Sequence, residues 1–449
     1  MKWLILSLLL TTLSSAMAAV QRPPNFSYQQ STAVFVDFQT ADYEITYDIT
    51  QRSAAVKATM QMTLPEAGHA LFDLIEAPTS VTVNGQPVTT AEVKTPSNET
   101  TLRVLTSSLS AGSYTMVIEV PLKNLVSYIS GGVKSAFWVT DLNDRFYLER
   151  YIPTNLEYDN IKMNFFVNYI GRTVQQHVFA NGNVSWVNEN RAKIEFPDYF
   201  TVNSLYFHTT PVSTVDVINF THQSSNGRLI PVAIYAARGM DAAELPAFKS
   251  TTLQVLAELE QDYGAFRHNS VTIYNANLSS MGLGGMDYAG ATVTNIGSLG
   301  HELFHSYFAR GMTPANGNAG WIDEALASWR DDGYDRRASL SGSSRMAAHP
   351  IYTRKTDTAA YGFGARFMAF LDNKFTGKGG LKPFMNSFLQ ANLFVPVTTE
   401  QFIAAMESFY NEPMQAIFQQ YVYDRNAVEE KSVHPIHRKM GAKELAKIL

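Results

Sequence analysis

His301-Glu302-Leu303-Phe304-His305, followed after eighteen residues by Glu324 in the segment Trp321-Ile322-Asp323-Glu324-Ala325, constrains this chain more than any other feature. Residues four apart share one face of a helix, so both imidazoles can reach a single ion while Glu302 lies one step round, beside the ion's open coordination position. The interval to Glu324 lets the first helix end near Gly311, a loop rich in Gly, Asn and Pro turn, and a second, antiparallel helix return its carboxylate to the same point. Two imidazoles and one carboxylate with a fourth position open form a catalytic zinc arrangement, because a structural site is closed by four protein ligands. His301, His305 and Glu324 are therefore the expected ligands of one Zn2+ ion, in a centre suited to metal-assisted hydrolysis. The alternative is a helix with two structural histidines, and the correctly spaced carboxylate argues against it.

Ahead of this centre the chain reads differently. From about residue 27 to 225 the pattern has period two, most clearly where Val56, Ala58, Met60, Met62 and Leu64 alternate with Lys57, Thr59, Gln61 and Thr63, the mark of a half-buried strand. Asn84-Gly85, between Val81-Thr82-Val83 and Gln86-Pro87-Val88, is a hairpin turn signal. After about residue 226 the spacing becomes helical: Leu245, Phe248, Thr252, Leu256, Leu259 and Tyr263 form one stripe. The expected fold class is α+β, with an antiparallel β-rich N-terminal domain over residues 19–225 and a mainly helical domain over 226–426, followed by a polar tail over 427–449.

Residues 1–18 stand apart. Lys2, an almost wholly apolar stretch over residues 4–13, and Ala16-Met17-Ala18 read as a cleavable secretory signal peptide, too short in its apolar part to span a bilayer. No later stretch is long and apolar enough to span, so the expectation is an exported protein, secreted or periplasmic, with no integral membrane segment after signal removal. A net charge of -5 is too mild to indicate nucleic acid or a membrane surface as partner. With no cysteine in the chain, disulfides, thiol catalysis and thiolate metal ligands are excluded.

The zinc-ligand segments resemble the signature of the aminopeptidase N family of gluzincin zinc metallopeptidases, in which a Trp-x-Asn-Glu-Gly segment carries the third ligand; here Asp323 stands in place of Asn and Ala325 in place of Gly. Gly284-Gly285-Met286-Asp287-Tyr288 is similar to the family's Gly-x-Met-Glu-Asn motif, with an acid one methylene shorter and a shorter interval to His301. Tyr361-Gly362-Phe363-Gly364 looks like its Tyr-x-x-Gly segment, and Phe146 to Pro153 is faintly like a segment that supplies a second amine-binding acid, here Glu149. The similarity covers residues about 130 to 425.

This resemblance implies a thermolysin-like catalytic domain and a peptide substrate cleaved after its first residue. It also implies roles. Glu302 would be the general base and Tyr361 the donor to the tetrahedral oxyanion. Gly284, Gly285, Met286 and Asp287 would line an edge strand that pairs with the substrate, Asp287 and Glu149 meeting its free amine. Two other readings stay open: an endopeptidase with the same zinc machinery, and an exported peptide- or glycan-binding protein with a vestigial metal site.

Overall fold

The computed structural model describes residues 22–97, 101–138, 148–155, 159–239, 242–276, 284–315, 317–352 and 356–423. The expected signal peptide and the polar tail lie outside the described residues. Among the described residues no helix is long and apolar enough to cross a membrane.

The N-terminal region is built of β-strands, as the alternation requires. Ser53–Leu64 is one strand, and Val56, Ala58, Met60, Met62 and Leu64 are all buried on its inner face. It sits near the middle of an eight-stranded sheet, between Asp37–Asp48 and Gly112–Pro121, and both of those pairings are antiparallel. Asn84 and Gly85, with φ of 48° and 77°, make the turn between Ser80–Val83 and Gln86–Pro87, where two positive-φ residues match the twist of the flanking strands. A five-stranded and a four-stranded sheet complete the region.

The antiparallel reading of this domain holds for most of its pairings and needs one correction. Asp37–Asp48 also pairs in parallel with Lys162–Ile170, over the register Thr40 with Lys162 to Asp48 with Ile170, and Ala33 to Phe35 pairs in parallel with His69 to Leu71. A strand alternates in the same way whichever direction its neighbour runs, so period two alone does not encode strand direction.

The second correction concerns the later half, which opens with a sheet before its helices. Five strands lie in the order Val215–Gln223, Leu229–Ala237, Val271–Asn275, Ala291–Thr294 and Gly285–Tyr288. The inner pairings are parallel, and the two end strands run antiparallel to their neighbours. Residue 225 falls in the turn joining the first two strands, so this sheet draws strands from both sides of that position.

Both faces of this sheet are covered, which is why its strands lack clean alternation. Tyr235, Tyr274, Tyr288 and Val293 pack into the core of the N-terminal region, whereas Ile230, Val232, Ile234, Val271 and Ile273 pack against the helices. Leu245–Tyr263 lays the anticipated stripe of Leu245, Phe248, Thr252, Leu256, Leu259 and Tyr263 on that second face, and Gly264, at φ 88°, ends it. Beneath this helix lie two more, Leu299–His305 and Ile322–Asp331.

Candidate metal centre

The two helices meet where the spacing places them. Leu299–His305 carries His301 and His305 one turn apart, and Ile322–Asp331 carries Glu324 in its first turn. Gly300 permits the approach: a Cβ there would lie 2.7 Å from Nη1 of Arg330 on the second helix. One ligand atom from each of His301, His305 and Glu324 falls within 4.8 Å of the others. That spacing suits a single ion with ligands about 2.1 Å away.

The imidazoles are oriented for this. His301 Nδ1 lies 2.7 Å from Asp331 Oδ2, and His305 Nδ1 lies 3.1 Å from the Phe308 carbonyl. Each acceptor draws the proton to Nδ1 and leaves the Nε2 lone pair for a metal. Both Nε2 atoms face Glu324 Oε2, at 3.1 Å from His301 and 3.4 Å from His305. His305 Nε2 is buried without a hydrogen-bond partner among the described residues, which in a protein interior calls for an explanation. A metal ion supplies one, and the donor set is that of zinc.

Without an ion the cluster holds protons instead. Burial opposes charge on His305, yet the Glu324 and Asp287 carboxylates outweigh it and raise its pKa to about 9. On His301 the same opposition by burial is overcome by Asp331 and Glu324, which hold the imidazole well above its ordinary range. Glu324 is held well below the usual carboxylate range, burial being outweighed by His305 and His301.

Asp331 was not anticipated, although it follows Glu324 by seven residues and so lies two turns along the same helix face. Arg330 donates to it from Nη1 at 3.2 Å and is itself paired with Glu258. Asp331→Asn should weaken zinc binding about 10- to 100-fold while leaving the fold unchanged, as read from competition with a chelating dye. Unaltered affinity would make the His301 contact incidental.

Glu302 is buried beside the ligands, and its Oε2 has no hydrogen-bond partner among the described residues. Burial is the main reason its pKa is pushed up to about 8, with the neighbouring histidines opposing the rise. Its carboxyl lies against Gly285: a Cβ at that position would come within 2.6 Å of Glu302 Oε1. Only a residue without a side chain lets the strand and the acid approach so closely.

Gly285–Tyr288 is an edge strand of its sheet, as the resemblance implied. Gly284 precedes it, and its carbonyl accepts from Asn295 Nδ2 at 3.0 Å. The Asn295 Oδ1 in turn accepts from the Ser298 backbone, tying the strand to the start of the histidine helix. Met286 packs towards the N-terminal core. Asp287 has a partner that sequence reading missed. Arg310 Nε lies 2.8 Å from its Oδ2, and Nη2 donates to its backbone carbonyl at 3.2 Å. Arg310 follows the histidine helix with no periodic or motif signal to mark it. Glu149 is in the short helix Leu148–Tyr151, and its side chain lies outside the described residues.

Tyr361 arrives from a third element. It lies in a π-helical turn, Ala360–Gly364, that leads into the helix Ala365–Lys374. Gly364 sits so near Ala325 that a Cβ would be 2.7 Å from the alanine's own. This close approach brings the Tyr361 hydroxyl to donate to Glu324 Oε1 at 2.9 Å.

No family model matches this sequence, and no curated protein sequence does. Solved structures are similar in fold. A single-residue variant of an M1 zinc metallopeptidase from Deinococcus radiodurans superposes with a TM-score of 0.64 at 16% identity, over 90% of this chain and 96% of its own. Native yeast LTA4 hydrolase gives 0.64 at 13% identity, over 89% of this chain and 69% of its own. Legionella pneumophila aminopeptidase A, in complex with aspartic acid, gives 0.62 at 12% over 89% and 50%. A variant of the Deinococcus peptidase has also been solved with a Tyr-Ser-Ala substrate. The chain has the fold of M1 zinc metallopeptidases.

Proposed function

We propose that this chain is a zinc metallopeptidase that removes N-terminal residues from peptides. The observation that carries the reading is the juxtaposition of a two-imidazole, one-carboxylate cluster with Glu302, a buried acid whose Oε2 is unpartnered among the described residues. A binding protein has no physical need for such a group, because an unsatisfied buried carboxyl is costly. The fold shared with M1 zinc metallopeptidases, one of them solved with a peptide substrate, supports the same conclusion.

When bound, zinc supplies Lewis acidity, polarising a carbonyl and making water a competent nucleophile near neutral pH. Glu302 takes the proton from the attacking water and passes it to the departing amine, in the ionised form that a dication held by the neighbouring ligands would favour. Tyr361, whose hydroxyl reaches the ligand carboxylate, turns to donate to the developing oxyanion. Asp331 and the Phe308 carbonyl keep both imidazoles facing the cluster throughout. Gly285 and Met286 offer the strand edge along which a peptide lies extended. The basic, apolar and small-residue pattern of residues 1–18 supports export to the periplasm or medium.

The test is mass-spectrometric digestion of a peptide pool and its N-acetylated counterpart by zinc-loaded protein, with a chelated control. Loss of single N-terminal residues from the unblocked pool alone, abolished by chelation, is the expected result. Internal cuts in both pools would make the enzyme an endopeptidase, and intact peptides throughout would remove the peptidase reading.

A further inference from the structure

The Arg310 pairing changes what the edge strand can recognise. A carboxylate at Asp287 would ordinarily attract a protonated α-amine. Here Nε of the buried Arg310 stands 2.8 Å from Oδ2 and Nη2 stands 3.4 Å from Oδ1, so a full positive charge already covers the acid. An ammonium drawn to Asp287 meets repulsion from the guanidinium of similar size at similar distance. The same guanidinium takes the Asp287 carbonyl, which a longer chain adding to this strand would use. Arg310 is itself fixed: it is 8% exposed, and its backbone N–H donates to the His305 carbonyl at 2.9 Å.

We infer that Arg310 sets the site's N-terminal specificity, by neutralising Asp287 and closing the strand edge at that residue, so that the end of a peptide is read by the room available and not by its charge. The inference rests on the peptidase reading above. Arg310 acts through Asp287 and is a positioning residue.

The experiment compares kcat/KM for a peptide and for its desamino analogue, which lacks only the α-amine, using zinc-loaded protein. The native chain should cut the two within about threefold of each other, a ratio that reports the amine's contribution to transition-state binding. In Arg310→Gln the Asp287 carboxylate, no longer covered by the guanidinium, should favour the amine by about tenfold or more, and Arg310→Lys, which keeps a cation there, should return the ratio towards that of the native chain. A native chain that cuts both peptides but already favours the amine by about tenfold overturns the inference and leaves the peptidase reading intact. If it cuts neither, the peptidase reading fails and takes the inference with it. The native ratio needs no variant, so the outcome stands even if Arg310→Gln does not fold.

Discussion

Glu302→Gln should keep its zinc and its fold while kcat for peptide hydrolysis falls by about 10²- to 10⁴-fold, the usual worth of a positioned general base. The amide matches the carboxylate in size, so the close contact with Gly285 survives, and neither imidazole loses its partner at Asp331 or Phe308. What disappears is the ability to take a proton. Metal content by mass spectrometry and turnover of a fluorogenic peptide check the two halves separately. Zinc retained with activity lost assigns Glu302 to proton transfer; activity retained would strip it of that role, and zinc lost would show that the substitution disturbed the cluster itself.

The ligand set was legible because each part of it is local. His301 and His305 are related by one helical turn, and the interval to Glu324 admits little besides a turn and a returning helix. The helix Leu245–Tyr263 was legible for the same reason, its buried face repeating with the helical period. Contacts made at a distance left weaker traces. The parallel pairing of Asp37–Asp48 with Lys162–Ile170 joins segments more than a hundred residues apart, and nothing in either strand records the direction of the other. Tyr361 reaches Glu324 only because Gly364 lets one helix settle against Ala325. That small residues face each other there is a property of the packed pair, not of either segment alone. Arg310 is the extreme case. Its side chain crosses from beyond the histidine helix to an edge strand, and it alters the meaning of Asp287, whose motif had suggested an amine ligand.

Zinc affinity should climb steeply with pH, by as much as about 100-fold per unit near neutrality and less as pH nears 9, because two protonated imidazoles must each give up a proton to become ligands. His305, with its pKa raised to about 9, and His301, held well above its ordinary value of 6.5, are both charged at neutral pH in protein stripped of metal. Glu324, held low, is already ionised and adds nothing to the slope. The sign for folding follows from the same groups. A histidine whose pKa is raised on folding contributes stability that is complete below its unfolded value and lost as pH rises through the folded one. Glu302, raised to about 8, also binds its proton more tightly when folded, so its contribution declines over the interval from its ordinary 4.5 upward. Glu324 works the other way, but its contribution is lost only as pH falls below the carboxylate range. Chelated protein should therefore melt lower at pH 9 than at pH 6.5 by these terms, while the rise in Tm on adding zinc widens over the same interval. Calorimetric titration with zinc at neutral pH, in buffers of different ionisation enthalpy, counts the protons released. Two or more confirms that the carboxylates hold both imidazoles charged, a third proton coming from Glu302 beside the ion, whereas close to zero would mean that the ligands are neutral before the metal arrives.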